Sequence, residues 1–135
     1  MIAPSKWIWY GHAGHFMCGR WCRFHMCTEI GKQFISTVGL YVHPRHGCGR
    51  EDTEMDYLRD HPNGEMIGIN RFYETMVFAV TGKRCADKTC NCGMPEIDGC
   101  ELEADGYLTA GEARKGHMTM CLKYAKKQVT RRRKR

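Results

Sequence analysis

The chain of 135 residues suits one domain with a true hydrophobic core, because 42% of its residues are hydrophobic and 27% are charged. No apolar run approaches the roughly 20 residues that span a bilayer, and no secretory signal is recognisable, so we expect a cytoplasmic protein with reduced thiols and no membrane partner. The net charge of +6 is uneven: residues 1–50 carry +5, residues 51–112 carry −9, and residues 123–135 hold eight basic residues and no acid. Such asymmetry concerns partners rather than fold.

The first third of the chain predicts three strands. Aromatic residues indicate a short strand over Lys6–Tyr10, and glycines make residues 12–20 a loop. Alternating apolar and polar residues predict a second strand over Arg23–Ile30. The Gly31-Lys32 turn then leads into a third strand, Gln33–Val42, which is rich in β-branched and aromatic residues.

The acidic middle predicts a helix, a strand and a long loop. Glu51–Asp60 has acidic residues in its first turn and ends before a proline, as short helices do. Arg71–Thr81 has the strongest strand pattern in the chain. Residues 82–106 are rich in glycine and cysteine and show no periodicity. A loop of that length in a compact domain needs something to organise it, and a metal ion would do so.

The last predicted element is a helix over Ala110–Lys127, with Thr109 as its N-cap and basic residues in its last turns. We therefore predict a single Cys/His-rich domain over 1–128 and a disordered basic tail over 129–135. The expected fold class is α+β: a small, mostly antiparallel sheet with the C-terminal helix packed on it and with loops stapled by metal.

Nine cysteines and seven histidines, mostly in tight groups, favour zinc, although a disulfide scaffold would show similar spacing. In the first group Cys18, Cys22 and His25 are ligand candidates, and either His15 or Cys27 could be the fourth. If residues 23–30 form a strand, His25 and Cys27 share one face of it. The alternative is that these two are ordinary strand residues.

The second group joins the long loop to the C-terminal helix. Cys90 and Cys92 precede a glycine, and His117 and Cys121 are four residues apart on one helix face. The arrangement resembles treble-clef zinc sites, but its Cys-x-Cys knuckle departs from their Cys-x-x-Cys. The alternative is that Cys121 and Met118 are core residues on the inner face of the helix and that His117 flanks them.

A calcium loop is disfavoured over Glu101–Glu112. The glycine at position six and the glutamate at position twelve fit the calcium-binding frame. Glutamate, however, occupies positions one and three, where aspartate is expected, and no helix is predicted before the segment. An acidic turn into a capped helix is the alternative.

Basic residues favour a nucleic acid or nucleoprotein partner. Phosphate contacts are expected from the basic first third and the tail, through Arg20, Arg23, Arg131, Arg132 and Arg133. The acidic helix over 51–60 would instead suit a protein partner with a basic face.

An enzyme is the alternative class, a small metal-dependent or His/Glu-dependent transferase or hydrolase. Arg23 and His25, then Ser36-Thr37, then Glu74 fall on three successive predicted strands. This order resembles small ADP-ribosyltransferase folds, which place Arg or His, Ser-Thr and Glu in that sequence. No phosphate-binding, dinucleotide-binding or nucleophile-elbow motif is present. The sequence therefore assigns no catalytic residue and favours a binding protein.

The chain also resembles small uncharacterised phage-encoded proteins. The resemblance lies in its size, its Cys/His-rich body and the phrases CRFHMCTEIG, STVGLY and YETMVF. It implies a binder acting in the host cytoplasm, such as an inhibitor of a nucleic-acid-based defence system, and carries over no residue role.

Overall fold

A computed structural model describes residues 6–10, 21–43, 51–85 and 93–133, with the backbone alone at 51–53 and 129–133. Five strands and two helices occupy these ranges. In chain order they are β1 (Trp7–Tyr10), β2 (Cys22–Ile30), β3 (Gln33–Tyr41), α1 (Glu51–Asp60), β4 (Tyr73–Arg84), β5 (Pro95–Tyr107) and α2 (Ala110–Arg133).

The strands form one antiparallel sheet in the order β1-β2-β3-β4-β5, so each strand pairs with its neighbours in sequence. Gly31 begins the predicted β2–β3 turn with a left-handed φ of 57°, a conformation that glycine adopts without strain. The α+β class, the antiparallel sheet and the C-terminal helix packed on it are thereby confirmed.

Helix α2 covers one face of the sheet. Its buried side chains recur with helical spacing at Ala113, His117, Met120, Cys121 and Tyr124. The last three pack with Ile30, Ile35 and Val77 into the main apolar cluster. Thr109 caps the helix as predicted, since its Oγ1 accepts a hydrogen bond from the Glu112 amide at 3.2 Å. No helix in the described ranges combines the length and apolarity needed to cross a bilayer.

A second apolar cluster lies on the opposite face of the sheet and consists of Cys27, Phe34 and Met94. Beside it the Glu29 carboxylate, on a side chain only 8% exposed, accepts two hydrogen bonds from the Arg84 guanidinium at 2.6 and 3.1 Å. The Tyr10 hydroxyl donates a third, at 2.7 Å. These hydrogen bonds link side chains of β1, β2 and β4 across part of this face. We call this side of the sheet the open face, because neither helix α2 nor the main apolar cluster lies on it.

The prediction of a loop over residues 82–106 was wrong for much of its length. Residues 95–107 form β5, which pairs with β4 through register shifts between Val77 and Arg84. Backbone pairing therefore orders this part of the segment. The C-terminal helix also extends beyond residue 127, where it was predicted to end, and continues through Arg133.

Candidate functional site

A buried polar row lies between α2 and the sheet. The Nε2 atom of His117 is 2.9 Å from Thr28 Oγ1 on β2, and its Nδ1 atom is 2.7 Å from Thr37 Oγ1 on β3. Thr37 Oγ1 in turn lies 2.6 Å from Thr75 Oγ1 on β4. All four side chains are buried, so one helical histidine joins three strands through hydroxyl groups.

Burial lowers the pKa of His117 to about 4, so the ring is neutral near neutral pH. Burial likewise raises the pKa of Cys121 to about 11, which keeps its thiol protonated. A neutral imidazole has one donor and one acceptor nitrogen, and each has a threonine hydroxyl as its partner. Metal binding by His117 would therefore require one of these contacts to be exchanged.

The other two members of the second predicted zinc group, Cys90 and Cys92, lie outside the described residues. His117 and Cys121 do share the inner face of α2, as the sequence predicted. Their observed neighbours are hydroxyl and apolar groups. Both ring nitrogens of His117 therefore have hydrogen-bond partners without a metal ion.

The first predicted zinc group has a different environment. The Nδ1 atom of His25, on β2, is buried and has no hydrogen-bond partner among the described residues. Burial is the main cause that lowers the pKa of His25, and a hydrogen bond between its ring and the backbone of Cys22 opposes this effect. Cys22 is buried as well. A buried nitrogen without a partner fits a metal ligand better than a satisfied one does.

The remaining candidates of this group, Cys18 and His15, lie outside the described residues. Cys27 is buried in the open-face cluster, with its sulfur 3.9 Å from the Ser36 hydroxyl. Across the ranges that the structure describes, no three histidine, cysteine or acidic side chains converge on a common point that could hold a metal.

The open face contains a cavity of about 360 Å³ over β3 and β4. Its described lining is mixed, with one carboxylate, two hydroxyl groups and four apolar side chains: Ser36, Val38, Tyr41, Met66, Ile67, Glu74 and Met76. The Glu74 side chain is 16% exposed, and its Oε1 accepts a hydrogen bond from Arg71 Nη1 at 3.3 Å. Burial is the main cause that raises the pKa of Glu74, and Arg71 opposes it.

Three residues considered for an enzyme lie near one another on the sheet. His25 pairs with Val38 across β2 and β3, and Val38 pairs with Glu74 across β3 and β4. Ser36 lies two residues from Val38 and therefore on the same face. Sequence reasoning missed the cavity wall at Met66 and Ile67, because residues 61–72 have neither strand nor helix periodicity.

Basic residues gather along the second half of α2. Lys123, Lys126 and Lys127 are exposed and line an open groove of about 750 Å³ between the helix and the β5 side of the sheet. Glu103 lies 2.5 Å from Lys123 Nζ, so that cation is partly neutralised. The Nζ atom of Lys127 lies 4.6 Å from the ring centre of Tyr124.

The predicted phosphate-binding arginines have different surroundings. Arg23 forms an ion pair with Glu54 of α1, so its charge is compensated within the protein. Arg20 lies outside the described residues. Helix α2 continues through Arg131, Arg132 and Arg133, beyond Gln128, whose amide donates to the Ile30 carbonyl at 2.6 Å.

Comparison with known protein families, with curated proteins and with solved structures finds no match to this chain.

Proposed function

We propose that this protein binds a nucleic acid or nucleoprotein through the basic second half of α2 and that zinc stabilises its fold. The observation that carries the binding proposal is the distribution of charge along α2. Three exposed lysines precede Gln128, the last residue with a described contact to the sheet, and three arginines follow it on the same helix.

The chemistry of this surface favours a polyanion. Phosphate groups attract lysine and arginine without any requirement for a sequence motif, and each phosphate contact releases bound counterions. The exposed Leu102 gives the lysine-lined groove an apolar part, against which a sugar or base can pack. The resemblance to phage-encoded proteins supports a host nucleoprotein, such as a defence complex, as the target.

The binding test is fluorescence anisotropy with labelled single-stranded RNA, single-stranded DNA and duplex DNA, at salt concentrations from about 50 to 200 mM. Affinity should fall steeply with salt. The double substitution K126Q/K127Q should flatten the logarithmic slope by roughly 0.7 to 0.9 for each phosphate contact that is lost.

The matched control is K83Q/K115Q, which removes the same charge from two exposed lysines away from the groove. An equal loss in the control would show a non-specific effect of net charge. Salt-independent binding, or none with any of the three probes, would contradict the proposal. If the protein binds none of the nucleic acids but does bind a basic protein through the acidic side chains of α1, then α1 is the docking surface instead.

The zinc part of the proposal rests on the buried His25 nitrogen that has no partner. We place the ion at Cys18, Cys22 and His25, with His15 or Cys27 as the fourth ligand. Zinc bound there would link the chain before β2 to the start of that strand and would supply folding free energy.

Elemental analysis of protein purified without added metal should find about one equivalent of zinc. The substitution H25A should remove the metal and lower the melting temperature. The control H61A, at an exposed histidine that stacks on Tyr57, should leave the zinc content unchanged. Metal-free protein with paired thiols would show a disulfide scaffold and overturn this part of the proposal.

A further inference from the structure

The open-face cavity is preformed by the fold. Its floor comes from alternate residues of two paired strands, Ser36 and Val38 on β3 and Glu74 and Met76 on β4. Its wall, Met66 and Ile67, belongs to the connection between α1 and β4. Because two strands of an extended sheet supply the floor, its polar groups have fixed spacing.

The wall is held against the sheet by backbone contacts. The Glu65 amide donates a hydrogen bond to the Tyr41 carbonyl at 2.8 Å. At Gly64, φ is 71°, and a Cβ atom would lie 2.5 Å from the same carbonyl oxygen. No residue larger than glycine fits where the backbone at position 64 approaches the backbone of Tyr41. The wall therefore lies close against the end of β3.

An unusual backbone conformation borders the cavity. Leu40 has a left-handed φ of 54°, which a residue with a branched apolar side chain rarely adopts. Simple alternation from Ser36 and Val38 would place Tyr41 on the helix side, yet Tyr41 lines the cavity with them. Strained positions of this kind are concentrated at ligand sites, where the surrounding structure maintains them.

The charged group of the described lining is the Glu74 carboxylate, which accepts hydrogen bonds, whereas the Ser36 and Tyr41 hydroxyls can donate or accept. The Glu74 Oε2 atom has no hydrogen bond among the described residues, while Oε1 is shared with Arg71. Ser36 is 4% exposed, and its contact in the described structure is the weak approach of the Cys27 sulfur at 3.9 Å. The other lining groups are largely apolar, including two methionine thioethers, which pack well against flat rings.

We propose that this cavity binds a small planar molecule with paired N–H donors on one edge, an amidine or an amino-substituted nitrogen heterocycle. Glu74 accepts the donors, Ser36 adds a hydrogen bond, and Met66 and Met76 contact the flat body. The volume of about 360 Å³ suits a single small ligand rather than a polymer. An anion is disfavoured because Arg71, the cation bonded to Glu74, is already paired.

Benzamidine is the probe, because it is flat and its two N–H groups match a carboxylate. Titration of protein labelled with ¹³C at the methionine methyl groups should shift the Met66 and Met76 signals in a saturable way, in about the millimolar range or tighter. Benzoate, which has the same ring and the opposite charge, should not shift them.

E74Q should weaken benzamidine binding roughly 10- to 100-fold, as expected for loss of a charge-assisted hydrogen bond. E96Q is the matched control: Glu96 lies on β5, is exposed, and does not line the cavity. It should leave the affinity within about twofold, well below the effect of a lost charged hydrogen bond. M66A, at a side chain 56% exposed, tests the wall without risk to the core and should weaken binding severalfold.

Three results would overturn the proposal: no saturable shift with benzamidine, equal binding of benzoate, or equal effects of E74Q and E96Q. If E74Q unfolds, the M66A result decides, and unchanged affinity in that variant would exclude binding at this cavity. The ligand proposed for this cavity contacts neither α2 nor the proposed zinc ion. The outcome of the benzamidine experiment is therefore independent of whether the protein binds nucleic acid.

Discussion

The Nδ1 atom of His117 lies 2.7 Å from the Thr37 hydroxyl, so the C-terminal helix is hydrogen-bonded to the central strand of the sheet. Thr37 also contacts Thr75 on the next strand at 2.6 Å. The contact between His117 and Thr37 lies between the main apolar cluster and the Trp9 side chain. The ring centres of Trp9 and His117 are 6.1 Å apart. A polar contact at this depth fixes the position of α2 on the sheet more sharply than apolar packing does, because its geometry is directional.

We predict that stability falls as pH decreases from about 6.5 to 4, because of His117. The unfolded chain takes up a proton near the ordinary histidine pKa of about 6.5, whereas the folded ring does not until the pKa of about 4. The unfolded state therefore binds more protons in this window, and the contribution present above pH 6.5 is lost on acidification. Each pH unit costs about 1.4 kcal/mol, or about 3 kcal/mol in all.

Urea denaturation at a series of pH values measures this effect. The variant H117N should be less stable at neutral pH, and its stability should decline less steeply between pH 6.5 and 4. The carboxylates are common to both proteins, so the difference between the two curves isolates the histidine. Parallel curves would show that His117 does not titrate as its burial requires.

Removal of the Thr37 hydroxyl should be costly. T37V keeps the shape of the side chain but leaves His117 Nδ1 and Thr75 Oγ1 without that partner inside the core. Each buried unsatisfied group costs about 1–3 kcal/mol, so we expect a loss of about 2–4 kcal/mol in the free energy of unfolding. The control T119V, at an exposed position of α2, should change stability by less than about 0.5 kcal/mol. Equal effects would indicate that the buried row contributes nothing specific.

The ion pair between Glu29 and Arg84 should contribute more than a surface pair. E29Q removes the charge that accepts two guanidinium hydrogen bonds and the Tyr10 hydroxyl. We expect a loss of about 1–3 kcal/mol in chemical denaturation, since the carboxylate is largely buried. The comparison is D56N, which breaks the exposed Asp56–Arg59 pair and should cost less than about 0.5 kcal/mol. A similar small effect at Glu29 would contradict a tie between the strands.

Gly39 should not tolerate alanine. A Cβ atom there would lie 2.1 Å from Cδ1 of Tyr73, whose ring packs over β3. G39A must displace that buried ring, and overpacking of this kind costs about 1–3 kcal/mol. At Gly99, a Cβ atom would meet nothing within 4 Å, so G99A should be nearly neutral in thermal unfolding. A neutral G39A would mean that Tyr73 can move without loss.

The sequence predicted β1 to β4 well and the outer strand β5 poorly, for a physical reason. β2, β3 and the first half of β4 are largely buried, so β-branched and aromatic residues dominate them. β5 has neighbours on one side only, is largely exposed, and carries acids and glycines that resemble a loop. The pairing with β4 that makes it a strand is not encoded in its own periodicity.

The candidate sites follow the same division. The i, i+4 spacing of His117 and Cys121 correctly predicted one shared helix face, because helix geometry is local. Their threonine neighbours come from three different strands, and no spacing along the chain reveals such a set. The cavity was also hidden, since its wall and floor meet only after the sheet has formed.

The acidic side chains of β5 affect the association of one protein molecule with another at the edge of the sheet. The outer strand of an open sheet exposes backbone groups that can pair with a strand of another molecule and so begin aggregation. Here that strand carries five acids: Glu96, Asp98, Glu101, Glu103 and Asp105. Two such strands brought side by side repel each other at neutral pH, so the residues that obscured β5 in the sequence also protect the sheet from growing at that edge.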